Sequence, residues 1–328
     1  MRRRKFIASL GGLAAALPFA ALAEKTAMPV VGFVNAGTAE TSARYGAAFD
    51  DGLREAGYIE GQNVAVERHW LAGHYDQVDA LMKDLVQRRV ALIATPGSAV
   101  ATLAAKAATS TIPIVFGMAQ DPVQLGIVAS LARPNGNATG ISFLLGEVAA
   151  KRLRLLHDLV PNANRIVLLI NPANNSAAES TTRDVREAAL SIGLQIQILN
   201  ATKIAEIDAA FASFARDRPD ALFVAPDGFF SSRRVQFSTL AARDKIPAAY
   251  SNRDYVVAGG LMSYGTDLAE TFHQAGLYTG RILRGEKPAN MPVLQPTKFE
   301  FVINIQTARV LGIEVRPDVL SIADEVIE

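Results

Sequence analysis

The sequence predicts an α/β protein of two similar lobes, each a parallel sheet flanked by helices. Three observations carry this. Short apolar runs alternate with amphipathic helical stretches from residue 30 onward. The alternation then occurs a second time, with the same signposts in the same order. Finally, 328 residues, half of them apolar, exceed one comfortable core and suit two domains of about 100–200 residues each.

The strand candidates are 30–35 (VVGFVN), 64–70, 90–95, 113–117, 139–143, 165–171, 194–199, 220–225, 247–250, 260–264 and 299–304. Most are continuous apolar runs, as expected of strands covered on both faces. Between them lie helical stretches. In 75–89, Val78, Leu81, Met82, Leu85 and Val86 form one stripe, and Asp76, Lys83, Gln87 and Arg88 fall largely off it.

The strand ending at Asn35 has a counterpart ending at Asn171, 136 positions later. The helices that follow end at Gly57 and Gly193, each suited to a left-handed C-cap. ALIATPG (91–97) parallels ALFVAPD (221–227), Ile112-Pro113 parallels Ile246-Pro247, and Ser142-Phe143 parallels Ser263-Tyr264. The chain therefore reads as one α/β unit used twice.

This organisation puts one lobe at 29–142 plus about 267–290 and the other at 143–266 plus about 297–328. Crossings are expected at Phe143, at Tyr264 and along the proline-rich 286–297 segment, with helix 267–284 returning to the first lobe. Open parallel sheets bind ligands beyond the carboxyl ends of their strands. The cleft between the lobes is the expected site, and three crossings make a hinge across it.

Residues 1–23 stand apart. Arg2-Arg3-Arg4-Lys5 precedes an uncharged stretch from Phe6 to Leu22, and Ala21-Leu22-Ala23 closes it in an A-x-A pattern. This is the signature of a cleaved export signal, and Arg3-Arg4-Lys5-Phe6-Ile7 resembles a twin-arginine signal. Gly11, Gly12, Pro18 and many alanines leave the stretch short of the roughly 20 apolar residues of a membrane span.

Cysteine is absent, which excludes disulfides, thiolate metal sites, cysteine catalysis and a lipid-modified N-terminal cysteine. A periplasm is the expected compartment. Losing the four basic leader residues takes the net charge from +1 to −3, and no basic stripe remains to suggest nucleic acid.

Enzyme motifs are missing. There is no G-x-x-x-x-G-K-[ST], no G-x-G-x-x-G and no G-x-S-x-G. His69, His74, His157 and His273 form no metal-binding pattern. No catalytic residue, metal or cofactor is expected.

Binding chemistry is better represented. Thr95, Gly97 and Ser98 lie where a strand meets a helix start, a place that favours an anion, although Ser98 can equally cap its own helix. Asp227 holds the matching position in the second lobe, where it can take a ligand ammonium or cap a helix. Asn35, Asn171 and Asn174 add neutral donors and acceptors. Asp121 starts a further helical turn, where capping is its simpler role. Phe143 and Tyr264 at the crossings, with Tyr250 nearby, are flat surfaces for an apolar side chain. Tyr45 shares a helical stripe with Phe49 and Leu53 and reads mainly as core.

The phrases GLREAGYIEGQNVAVERHW (52–70), AAKAATSTIPIVFGMAQDPVQLGIVASLARPNGNATGISF (104–143), GGLMSYGTD (259–267), PVLQPTKFEFVINIQTARVLGI (292–313) and ADEVIE (323–328) carry a resemblance. Through nearly its whole length the chain resembles the periplasmic substrate-binding proteins of ABC transporters, in the group that includes tryptophan- and tyrosine-type members. The resemblance implies the two-lobed periplasmic binding protein fold with three hinge crossings (type I), and delivery of a small molecule to a membrane permease with its ATPase. Its ligand loops fall here on Asn35, Gly37 and Thr41, on Thr95, Gly97 and Ser98, on Gln120 and Asp121, on Asp227, and on Tyr250, Asn252 and Asp254.

The expected function is capture of a small carboxylate-bearing ligand, such as an amino acid or an aromatic acid. The membrane is met only through the permease, by way of the helix after Asn35 and the 174–185 helix. A sugar or nucleoside binder of the same fold, using Asn35, Asn171, Asn252, Arg253 and Asp254 on hydroxyls, is the alternative. An exported enzyme or a ligand-presenting sensor stands behind it.

Overall fold

The computed structural model describes residues 28–143, 145–296 and 298–328; the leader at 1–23 lies outside them. β1 (Val30–Asn35) leads through α1 (Ala43–Glu55), β2 (Ala65–Trp70), α2 (Val78–Gln87), β3 (Leu92–Pro96), α3 (Ala99–Ala108) and β4 (Ile114–Met118) to β5 (Ala138–Ser142). These strands form one all-parallel sheet in the order β2-β1-β3-β4-β5. Every residue of β3, β4 and β5 is buried, which is why their sequences are continuous apolar runs rather than alternations.

The chain continues through α4 (Leu145–Leu159), β6 (Arg165–Ile170), α5 (Asn175–Ser191), β7 (Gln195–Asn200), α6 (Ile204–Ser213), β8 (Ala221–Val224), α7 (Gly228–Ser232), α8 (Arg234–Arg243), β9 (Ala248–Tyr250), α9 (Arg253–Val257) and β10 (Met262–Thr266). It ends with α10 (Leu268–Leu283), β11 (Phe299–Asn304), α11 (Ile305–Leu311), α12 (Pro317–Ser321) and β12 (Glu325–Ile327). Strands β6 to β10 pair as β7-β6-β8-β9-β10, the order of the first sheet over again. Gly57 and Gly193 both adopt left-handed φ, +87° and +75°, where a side chain would be strained.

The second sheet differs from an all-parallel expectation at one edge. β11 runs antiparallel to β10, and β12, which the sequence pattern does not reveal, pairs parallel to β11. The direction follows from the route of the chain. α10 packs on α1 and on β3, β4 and β5 of the first lobe, and Leu294 then bridges to Ile141 of β5. The chain therefore re-enters the second sheet from the side of the first lobe and runs away from it.

α10 fits against α1 through small residues. A methyl at Gly276 would overlap the Phe49 carbonyl oxygen, one at Gly52 the His273 carbonyl oxygen, and one at Gly280 the Ala56 side chain. Each sheet carries apolar clusters on both faces. Phe33, Phe49, Phe272 and Tyr278 lie on one side of the first sheet, and Phe223 and Phe301 anchor one side of the second. No helix among the described residues is long and apolar enough to cross a membrane.

Candidate functional site

The carboxyl ends of both sets of strands border one cleft of about 1020 Å³, measured out to its open mouth. The first lobe contributes Asn35 from β1, Gly97 after β3, Met118 from β4 and Gln120 beyond it, with Tyr45 from α1 and Phe272 from α10. The second contributes Asn174 after β6, Asp227 after β8, Ser251 and Asn252 after β9, Thr266 from β10, and Arg152 from α4. Phe143 stands at the first crossing.

The duplicated strand ends build the same device twice. Asn35 Oδ1 accepts the Gly37 N–H at 2.8 Å, and Asn171 Oδ1 accepts the Ala173 N–H at 3.0 Å. These are Asx turns that bend the chain out of the sheet. Each amide nitrogen then reaches the next strand end: Asn35 Nδ2 donates to the Pro96 carbonyl at 2.9 Å, and Asn171 Nδ2 to Asp227 Oδ1 at 3.1 Å. Position is thereby fixed at the cost of free hydrogen-bonding capacity.

Asp227, 7% exposed, is the most heavily bonded group of the cleft. Oδ1 accepts from Asn171 and from the Phe230 N–H at 3.1 Å, which caps α7. Oδ2 accepts from Tyr75 Oη at 2.8 Å and Asn174 Nδ2 at 3.0 Å. A carboxylate has about four acceptor sites, and all are used. The Tyr75 bond comes from the opposite lobe, as does that from Tyr45 Oη to Asp254 Oδ2 at 2.7 Å. Arg44 adds a 3.7 Å ion pair to Asp254.

Burial, and then the neighbouring carboxylate, push both tyrosine hydroxyls well above their ordinary range. They therefore remain hydrogen-bond donors at neutral pH. The lobes also touch without charge: Gly73 lies against the Phe229 ring, and Gly228 against Ala36.

Of the residues singled out from sequence, Asn35, Gly37, Thr41, Gly97, Gln120, Phe143, Asn174, Asp227, Asn252 and Asp254 line this cleft. Six do not. Thr95 is fully buried and pairs with Thr102 Oγ1 at 2.8 Å, beneath the loop rather than on it. Ser98 caps α3 by accepting the Ala101 N–H at 3.2 Å. Asp121 caps a turn through the Val123 N–H at 2.8 Å. Asn171 lies behind Asp227. Tyr250 is fully buried and stacks on Tyr255 at 4.5 Å, on the side of the sheet covered by α8 and α9. The Tyr264 ring stacks on Phe299 across the β10–β11 pair at 6.0 Å; only its carbonyl turns toward the site, accepting Arg152 Nε at 2.8 Å.

Sequence reasoning missed Arg152, Arg234, Ser231 and Phe272, and read Tyr45 mainly as core. Tyr45 and Phe272 lie 5.3 Å apart between ring centroids and form an apolar wall of the cleft. Arg152 falls on the stripe Ala149, Arg152, Leu153, Leu156 of α4, all buried. A charge on the apolar stripe of a helix is a signal the sequence does carry. Among the described residues, no group of three His, Asp or Glu side chains is placed to hold a metal ion.

Two parallel-sheet lobes, joined by crossing segments and enclosing a cleft at their strand ends, define a two-lobed periplasmic binding protein. The chain belongs to the ABC transporter substrate binding protein family, whose model matches residues 30–327. It is 27% identical over 270 residues to a tyrosine-binding protein of Clostridioides difficile (strain R20291), covering 81% of this chain and 76% of that protein. Among solved structures it is similar to the ABC domain from Streptococcus pneumonia in complex with L-Trp, with a TM-score of 0.81 and 25% identity over 91% of this chain and 99% of that one. A conserved domain protein of Vibrio cholerae o1 biovar eltor matches at a TM-score of 0.83 and 26% identity, over the same shares.

Proposed function

We propose that this protein is the exported solute receptor of an ABC uptake system, closing its lobes on an amino acid with an aromatic side chain and presenting it to a membrane permease. The observation that carries this reading is the composition of the cleft. An apolar wall of Tyr45, Phe143 and Phe272 faces polar groups drawn from both lobes. A ring would be held by the wall, and a zwitterion by groups such as Arg152 and the Asn174 amide oxygen, which has no partner among the described residues.

Asp227, the acceptor expected for the ammonium, is already saturated, so Asn174 Oδ1 takes that role in this reading. The named ligands of the tyrosine-binding and L-Trp-bound relatives point the same way. Export rests on the leader signature at 1–23 and compartment on its removal. The protein binds and does not turn its ligand over; binding energy drives closure.

A sugar is less well served. Asn35 and Asn171 are spent on their turns, Asn252 Oδ1 accepts the Asp254 N–H, and Arg253 is engaged by Glu325. The test is thermal unfolding against amino acids, aromatic acids, sugars and nucleosides. A ligand at 100 times its Kd adds about 2.7 kcal/mol to stability. Hits confined to aromatic amino acids are expected; hits confined to sugars or nucleosides, or consumption of a ligand, would overturn the reading.

A further inference from the structure

The charged groups around the cleft differ in one respect that decides where an anion goes. Asp227 has four donors, and Asp254 has Tyr45 and Arg44. Arg152 has no counter-ion among the described residues. Its side chain is 1% exposed, yet it borders the cleft. Nε is used on the Tyr264 carbonyl, the guanidinium carbon lies 5.2 Å from the Phe223 ring centroid, and Nη1 is buried with no partner among the described residues. Burial pushes its pKa down to about 9, so it is still a cation at neutral pH. Buried charges are ordinarily paired, and no described side chain supplies an anion here.

The competing anion site, the start of α3, is partly spent on the protein itself, which leaves it the Ala99 and Val100 N–H groups. The Gly97 N–H goes to the Gly117 carbonyl, the Ser98 N–H to the Thr95 carbonyl, and the Ala101 N–H to Ser98 Oγ. Gly97 itself is needed for shape. Its φ is +79°, and a side chain there would press on Asn35 and Phe272 at 3.2 Å.

We infer that Arg152 is the specificity-determining residue of the cleft, receiving the carboxylate of the bound ligand on its unpartnered Nη1. The inference rests on the reading of the cleft as the ligand site and deepens it by fixing the ligand's chemical class as a carboxylate. It also places that carboxylate on α4 of the second lobe, not on the α3 start of the first. The role is binding and orientation; no bond is made or broken.

The test is calorimetric titration of the full protein with L-tryptophan and L-tyrosine, with their carboxamides, and with benzoate. Losing a charge-assisted hydrogen bond corresponds to a loss of about 10- to 150-fold in affinity. The amides should therefore bind the wild type weaker than the acids by that factor. Arg152→Met should weaken the acids by a similar factor, leave the amides unchanged, and melt no lower than the wild type without ligand, because it removes an uncompensated buried charge. Arg152→Lys keeps a charge but offers a compact ammonium. It should lose several-fold for the acids alone, and it serves if the Met variant does not fold.

Acids and amides binding the wild type equally, or acids binding the variants as well as the wild type, would overturn the inference while leaving the aromatic amino acid reading intact. Benzoate binding that Arg152→Met abolishes, with tryptophan and tyrosine both silent, would uphold Arg152 and overturn the amino acid reading. No binding by any of the three carboxylates would remove both.

Discussion

Gly228 is where the closed arrangement of the lobes can be tested by a single methyl group. It is the first residue of α7 in the second lobe, and its backbone is not in the left-handed region, so alanine is tolerated locally. A Cβ at this position would overlap the Ala36 side chain of the first lobe and lie 3.0 Å from the Ala36 carbonyl carbon. Carbon atoms rest comfortably at about 3.5–4.0 Å. The lobes must therefore part by roughly 1 Å here or accept the strain of an overpacked contact, about 1–3 kcal/mol.

That cost falls on the closed form alone. Ligand affinity should drop by a factor of about 5 to 150, while the unfolding free energy of the ligand-free protein stays within about 0.5 kcal/mol. Titration calorimetry and chemical denaturation measure the two quantities. Unchanged affinity in Gly228→Ala would mean that the ligand-bound form does not bring Gly228 against Ala36, and would refute the closure geometry described above.

Other consequences can be checked in parallel. Tyr75→Phe deletes the bond from the first lobe to Asp227 and should weaken the closed form by about 1.5–3 kcal/mol, the range for a bond to a charged group; an unchanged ligand affinity in titration calorimetry would count against it. Asp227→Asn turns an NH₂ toward groups that are all donors, so its main effect should be a stability loss of about 1–3 kcal/mol in urea unfolding, and equal stability would show that the four-donor arrangement is not energetically important. Arg152, pushed down to about 9 by burial, must be protonated to hold a carboxylate. Affinity for benzoate, a carboxylate with no amino group to titrate, should be flat from about pH 6 to 8 and fall above about 9. Tyr255 and Tyr264, the ionisable neighbours of the guanidinium, are raised by burial and stay neutral at the start of this fall. Benzamide, which is uncharged throughout, should show no such loss, and a parallel fall for both would assign the effect to another group.

Much of this architecture is legible in the chain because the duplicated unit repeats its chemistry. Asn35 and Asn171 end equivalent strands and make the same turn, and Gly57 and Gly193 end equivalent helices in the same conformation. The positions of the strand ends follow, and with them the cleft. Side-chain direction does not follow so easily. Strands buried on both faces carry no polar alternation, so nothing in their sequence separates the Tyr250 ring, which enters the core, from Phe143, which meets the cleft.

Arg152 is hidden differently. In KRLRLLHDL it stands among three basic residues of α4, and only its place on the Ala149–Leu153–Leu156 stripe distinguishes it from its solvated neighbours. Tyr45 shows the reverse. Its stripe partners Phe49 and Leu53 are core, but it sits one turn closer to the helix start and therefore reaches the cleft. The antiparallel edge at β11 depends on the path of the third crossing, which no local pattern encodes.

The most direct test of the whole account is a crystal structure of the protein grown with L-tryptophan or L-tyrosine. The account predicts electron density for the amino acid in the inter-lobe cleft, its ring against Tyr45, Phe143 and Phe272 and its carboxylate on Arg152, with contacts from both lobes. Density outside that cleft, or in it but touching one lobe only, would contradict it.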